Sequence, residues 1–161
     1  MLAKIGAGSL ENVDLPGATL DDADLTEANL VGCDLHGASM NRCVLRGANL
    51  SFSDLTGVQL RKADLTGATL NTVELSLSDL RGCNLSSANL YGADLFGANL
   101  STAKLDNAWL GGADLLEARL TGASLRDTKF DSQTRWPERF QPQDHGAILV
   151  DSTVIKAPKQ S

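Results

Sequence analysis

The stretch YGADLFGANL, residues 91–100, carries two leucines five residues apart, Leu95 and Leu100, and two aromatics at the same spacing, Tyr91 and Phe96. The spacing runs far beyond this stretch. Every position divisible by five from 5 to 130 is apolar: 23 of these 26 sites are Leu, and the others are Ile5, Met40 and Phe130. Two residues before each site stands a small residue, Ala at 16 of the 26 and otherwise Cys, Val, Ser, Gly or Thr.

A period of five selects the backbone. On an α-helix five residues advance roughly 500°, so successive leucines step round by about 140° and never share a face. In a strand the leucine and the small residue two before it do share a face. Five is odd, however, and a continuous strand would send the next leucine to the opposite side. The chain must therefore turn once per repeat. Gly at 11 of the 26 sites two after the leucine, Gly92 and Gly97 among them, suits such a corner.

The residue just before each leucine indicates how many turns close a coil. Asp14, Asp34, Asp54, Glu74, Asp94 and Asp114 are acidic at every step of 20, whereas a step of 15 from Asp14 gives Asp, Asn, Val, Gln, Glu, Asn, Lys and Arg. Four repeats per coil are predicted: an all-β square solenoid of about 6.5 coils, roughly 30 Å long at a strand spacing of ~4.8 Å.

The motif A-(D/N)-L-x-G, present as ANLVG (28–32), ADLTG (63–67), ANLYG (88–92) and ADLFG (93–97), resembles the pentapeptide-repeat family over residues 3–132. The resemblance implies a right-handed quadrilateral β-helix with the leucine and the small residue pointing inward. Ser53, Ser78 and Thr128 depart from alanine in the small column, and each needs a backbone hydrogen-bond partner if buried.

After residue 132 the period stops. The remaining segment, 133–161, holds three of the four prolines, Trp136 and Phe140. A short helical turn is predicted over Pro137–Asp144, stopped near Gly146 and followed by extended AILVDSTVI, the whole covering the C-terminal end of the core. A similar tryptophan–proline tail follows the repeats in many cyanobacterial members, and the resemblance points to that type.

Composition restricts the function classes. A chain of 161 residues makes one domain, and its aromatic content is only 4%. The longest apolar run is too short for a transmembrane helix. No signal-peptide core precedes the repeats, so a cytoplasmic location is expected, or the periplasm or thylakoid lumen if a leader has been removed. Net charge is −6, with seven carboxylates against Lys4 in residues 1–40, which disfavours direct nucleic-acid binding. Cys33, Cys43 and Cys83 all fall in the small inward column, where they read as small hydrophobes rather than a disulfide framework or a zinc site.

Three surface groups are candidates for interaction. The acidic column of Asp14, Asp34, Asp54, Glu74, Asp94 and Asp114 forms a negative stripe; the resemblance implies that such a stripe can mimic duplex DNA, since some family members occupy DNA gyrase. Asp or Asn at that position also bonds locally to the turn backbone. Tyr91, Phe96, Trp109 and Leu116 form an apolar patch, or the dock on which the tail folds back. Arg42, Arg46, Arg61, Lys62 and Arg81 form a basic group that suits an anion, an acidic partner or simple solubility. His36 and His145 have no supporting nucleophile or metal-ligand cluster at a usable spacing, so no catalytic, cofactor or metal site is expected. The expected function is a non-enzymatic rod that binds an unidentified protein; the alternatives are DNA mimicry and a structural homo-oligomer joined through an end or the tail.

Overall fold

The computed structural model describes residues 9–150. Over the repeats each residue preceding a central leucine forms a parallel bridge with the residue 20 later, as in Asp54↔Glu74, Glu74↔Asp94 and Asp94↔Asp114. The chain thus rises one strand spacing every 20 residues.

One unit shows how five residues satisfy their backbone. Leu65 N–H donates to the carbonyl of Asn84 at 2.7 Å and Gly67 N–H to Ser86 at 3.0 Å, both in the next coil. Asp64 N–H donates back to Cys43 in the preceding coil at 2.9 Å, and Ala68 N–H closes a turn onto Leu65 at 3.0 Å. The third residue of that turn, Gly67, has φ +67°, as a type II turn requires. Asn12, Asp22, Glu27, Arg42, Phe52, Lys62, Thr72 and Leu77 hold the same left-handed conformation without being glycine. The corner is set by the five-residue closure, and glycine relieves strain there instead of creating the bend.

The interior is one continuous stack. Each central residue from Leu25 to Leu115 is at most 2% exposed, and the alanines and cysteines of the small column line it. Burial of each leucine is worth roughly 1.5–3 kcal/mol before chain entropy. Leu10, Val13, Leu15, Ala18 and Leu20, at the first described coil, are only partly buried.

Loss of the sequence period does not end the coil. Asp114 bridges Arg135, an offset of 21, and strand β1 (Lys129–Phe130) pairs in parallel with β2 (Ile148–Leu149), an offset of 19. The extra residue of the first offset is given back in the second. Backbone pairing needs no particular side chain, and this last turn has the core on one side only, so the motif can lapse there. The segment predicted as helical over Pro137–Asp144 divides in two: a turn closed by Phe140 N–H on Pro137, then a 3₁₀ helix at Pro142–His145. Pro142 explains the break, because it holds Gln141 extended at φ −108°, ψ 95°. Gly146, at φ +87°, stops the helix. Phe130 meets Trp136 edge-on, and Trp136, Phe140 and His145 stack in succession, with ring centroids 5.4, 5.5 and 4.6 Å apart along the series. The predicted extended segment beyond residue 150, and residues 3–8 of the predicted repeat domain, lie outside the described residues.

Candidate functional site

The face between the corners at 51/52, 71/72, 91/92 and those at 56/57, 76/77, 96/97 is three residues wide, and the acidic column runs down its middle. Asp34, Asp54, Asp94 and Asp114 each accept the N–H two residues on, from His36, Thr56, Phe96 and Leu116, at 3.1, 2.8, 2.9 and 3.0 Å. On other faces Asn49, Asn84, Asn89 and Asn99 accept the same bond at 3.1 Å. The turn therefore needs the side-chain oxygen and not the charge.

The charges are distributed unevenly. Arg42 forks onto Asp22, Arg46 reaches Asp64, Arg61 and Arg81 share Asp79, and Arg126 meets Asp106, all at 2.6–2.8 Å. The Arg81 guanidinium beside Asp79, with Arg61 adding from the coil before and partial burial opposing, holds that carboxyl down at about 2. Of the basic group, only Lys62 has no ion pair among the described residues. It borders an open basin of about 250 Å³ with Arg61, Arg81, Gly82 and Thr102. In the acidic column Asp34 meets His36 at 2.6 Å and Asp114 meets Arg135 at 2.8 Å. Among the described residues Asp54, Glu74 and Asp94 meet no lysine or arginine.

Apart from Ile148 and Leu149 in the last turn, the exposed large apolar residues among the described residues border this same face. Phe52 (68% exposed) and Tyr91 (51%) lie on one corner row, and Leu77 (67%) and Phe96 (43%) on the other. Phe52 and Leu77 were not singled out from sequence. Their signal was a bulky residue in the corner slot most often filled by glycine. Phe96 and Leu116 fall in one column, with Leu116 half-buried, while Tyr91 and Phe96 stay exposed in the presence of the tail through Val150. Trp109 lies in the ladder between Asn89 and Lys129, its ring folded over Gly111 so closely that a β-carbon there would come within 2.2 Å of it.

The histidines divide. His145 stacks on Phe140 beside an open groove of about 340 Å³ lined also by Leu120, Gly122 and Pro137. His36, isolated in sequence, is brought by coil stacking to Asp34 and Asp54, with one ligand-type atom of each within 4.8 Å of the others. This group lies at the surface, and the His36–Asp34 hydrogen bond accounts for its geometry.

The geometry is that of a repeat β-helix, and comparison with known proteins agrees. The model of the pentapeptide repeats matches in eight copies, over residues 9–42, 34–71, 43–82, 63–101 and 98–132. The chain belongs to the pentapeptide-repeat family. The chain is similar to the solved pentapeptide repeat protein Rfr23 from the cyanobacterium Cyanothece 51142, at 30% identity over 80% of this chain and 87% of that one, with a TM-score of 0.59. Alr5209, a pentapeptide repeat protein from Nostoc Pcc 7120, is 36% identical over 66% of this chain and 84% of that one, with a TM-score of 0.40. A trypsin-treated variant of QnrB1, a plasmid-mediated fluoroquinolone resistance protein, matches 89% of this chain and 92% of its own, at a TM-score of 0.57; at 17% identity the likeness is one of fold. No curated protein matches the chain. Among the described residues no helix is long and apolar enough to cross a membrane.

Proposed function

We propose that this chain is a non-enzymatic binding rod that recognises another protein through its flat outer faces. In this reading residues 3–132 form a square, right-handed solenoid of about 6.5 coils, and residues 133–161 close its C-terminal end. The carrying observation is the filled interior: with central side chains from Leu25 to Leu115 at most 2% exposed, the stack leaves no internal cleft in which a substrate could be enclosed. Recognition then falls to the faces, where the side chains between corners are held in fixed rows by the coil ladder. DNA mimicry toward a DNA-binding protein is the second reading, favoured by the uncompensated carboxylates at Asp54, Glu74 and Asp94.

The test is crosslinked affinity capture from a lysate of the source organism, with mass-spectrometric identification. Wild type is compared with Asp34→Asn/Asp54→Asn/Asp94→Asn and with Tyr91→Ser/Phe96→Ser. A specific protein captured by wild type supports the rod as a binding module, and its loss in one variant names the face. Capture of nothing specific by any version overturns the reading in favour of a structural self-assembly.

A further inference from the structure

Three successive coils concentrate features that the fold itself does not require. The first is charge. An asparagine serves the turn on every other face, yet this column is acidic throughout, and Asp54, Glu74 and Asp94 pair with no lysine or arginine among the described residues. The second is strain with exposure. Phe52 and Leu77 sit at φ +62° and +58°, a conformation that disfavours side chains with a β-carbon, and both are more than 60% exposed. Neither residue gains burial in return for the strained backbone. The third is placement. The other two corner rows, from Asp21/Asp22 to Thr121/Gly122 and from Thr26/Glu27 to Arg126/Asp127, carry no apolar residue. The acidic face alone therefore has apolar residues on both of its corners, Phe52 and Tyr91 on one and Leu77 and Phe96 on the other.

We infer that this face docks one amphipathic α-helix of another protein, lying along the rod with lysines or arginines over Asp54, Glu74 and Asp94 and apolar side chains on both shoulders. The inference rests on the binding-rod reading and specifies its partner. Three residues across a face span ~10 Å, close to the diameter of a helix. Carboxylates on adjacent coils lie ~4.8 Å apart, so the outer two are ~9.6 Å apart. Helical residues at i, i+4 and i+7 rise ~6 and ~10.5 Å and keep pace with them, whereas same-face residues of an extended strand, ~6.8 Å apart, fall out of step within two coils. A second copy of this chain fits poorly, because its arginines on the 1/2 and 6/7 corners are already bound to Asp22, Asp64, Asp79 and Asp106.

The test uses the full chain and two fluorescent helical peptides of equal charge. One carries a lysine stripe at i, i+4 and i+7 flanked by leucines, and the other has serines in place of the leucines. Wild type should bind the lysine–leucine peptide at least tenfold more tightly than the lysine–serine peptide. Asp54→Asn/Glu74→Gln/Asp94→Asn should lose at least tenfold, and Leu77→Gly/Phe96→Ser, which strips one shoulder, should narrow the difference between the two peptides. Glu27→Gln/Asp127→Asn, on a different corner row, should change affinity less than twofold. Matching thermal melts establish that each variant is folded, as the asparagines on the other faces lead one to expect. Equal binding of the two peptides, or an equal loss in the Glu27/Asp127 variant, overturns the proposal. So does wild-type dimerisation that these face variants abolish, which would make a second copy the occupant. Capture of a protein from lysate that survives all the face variants would leave the binding rod standing and remove this helix site alone.

Discussion

Leu77 lies directly over Gly97 in the next coil: a β-carbon on Gly97 would come within 2.9 Å of Leu77 Cδ2. The two residues occupy the same corner row, 20 apart, and both are left-handed, at φ +58° and +65°. Gly97 is therefore needed twice, once for its own backbone and once as floor for the leucine above it. Gly92 repeats the relation more loosely, with Thr72 Cγ2 at 3.2 Å.

Gly97→Ala should destabilise the protein by about 1–2 kcal/mol, combining left-handed strain with the clash. Adding Leu77→Gly should remove the steric part and leave the strain. Leu77→Gly alone should raise stability by about 0.5–1 kcal/mol, because it relieves backbone strain while giving up little buried area. Urea midpoints of the two single variants and the double variant form the cycle. Strictly additive effects would show that the leucine does not rest on the glycine.

Ser53 and Thr128 replace alanine in the inward column and donate to the carbonyls of Leu30 and Leu105, each 23 residues back, at 2.7 Å. Ser78 occupies the same kind of slot, but its buried hydroxyl has no partner among the described residues. A satisfied buried hydroxyl contributes about 1 kcal/mol, and an unsatisfied one subtracts about as much or more. Ser53→Ala should therefore lower stability by about 1 kcal/mol, and Ser78→Ala should raise it by a similar amount. Opposite signs in paired chemical melts are the expected result; a loss of stability in Ser78→Ala would mean that its hydroxyl is bonded after all.

The fold was readable in the sequence because a period of five admits few backbones, and because the interval of 20 at which the acidic residues recur is also the interval at which the chain pairs with itself. The last coil was not readable, since Arg135, Ile148 and Leu149 pair through backbone groups that leave no side-chain signature. The surface was half readable. Tyr91 and Phe96 stand out as rare aromatics, whereas Phe52 and Leu77 hide in a column inspected for glycine. The neutralisation of the arginines was also missed. Arg46 and Arg61 reach carboxylates 18 residues on, a diagonal that becomes a contact only once the coil length of 20 is applied to the side chains.

The cysteines should be unreactive in the folded rod. Burial pushes the Cys43 and Cys83 thiols up to about 12 and raises that of Cys33, so thiolate is scarce at pH 8. Solenoids open from their ends, and Cys33 is the nearest of the three to the first described coil, its sulfur bonded to the Leu10 carbonyl at 2.8 Å. A disulfide reagent at pH 8 should label none of the three rapidly in native protein and all three in guanidinium. In mild denaturant, mass spectrometry should find Cys33 labelled first. Rapid labelling of Cys83 under native conditions would be incompatible with its place in the core.

Asp79 accepts two guanidinium bonds from Arg81, at 2.8 and 2.7 Å, the Arg81 backbone N–H at 3.3 Å, and one bond from Arg61 at 2.6 Å. With its folded pKa held at about 2, below the ordinary 3.8, the unfolded chain takes up the proton first as pH falls. The arrangement therefore stabilises the fold fully above the unfolded value and loses that contribution as pH drops through about 2. Because the arginines are largely solvent-exposed, the stabilisation is screened to about 1 kcal/mol at most. Asp79→Asn should be less stable than wild type by up to that amount at pH 7, and the gap should close between about pH 4 and pH 2. High salt at pH 7 should narrow it as well. Stability curves for both proteins across this range decide the matter: a gap that persists unchanged at pH 2 would assign the effect of the substitution to packing and not to the shared carboxylate.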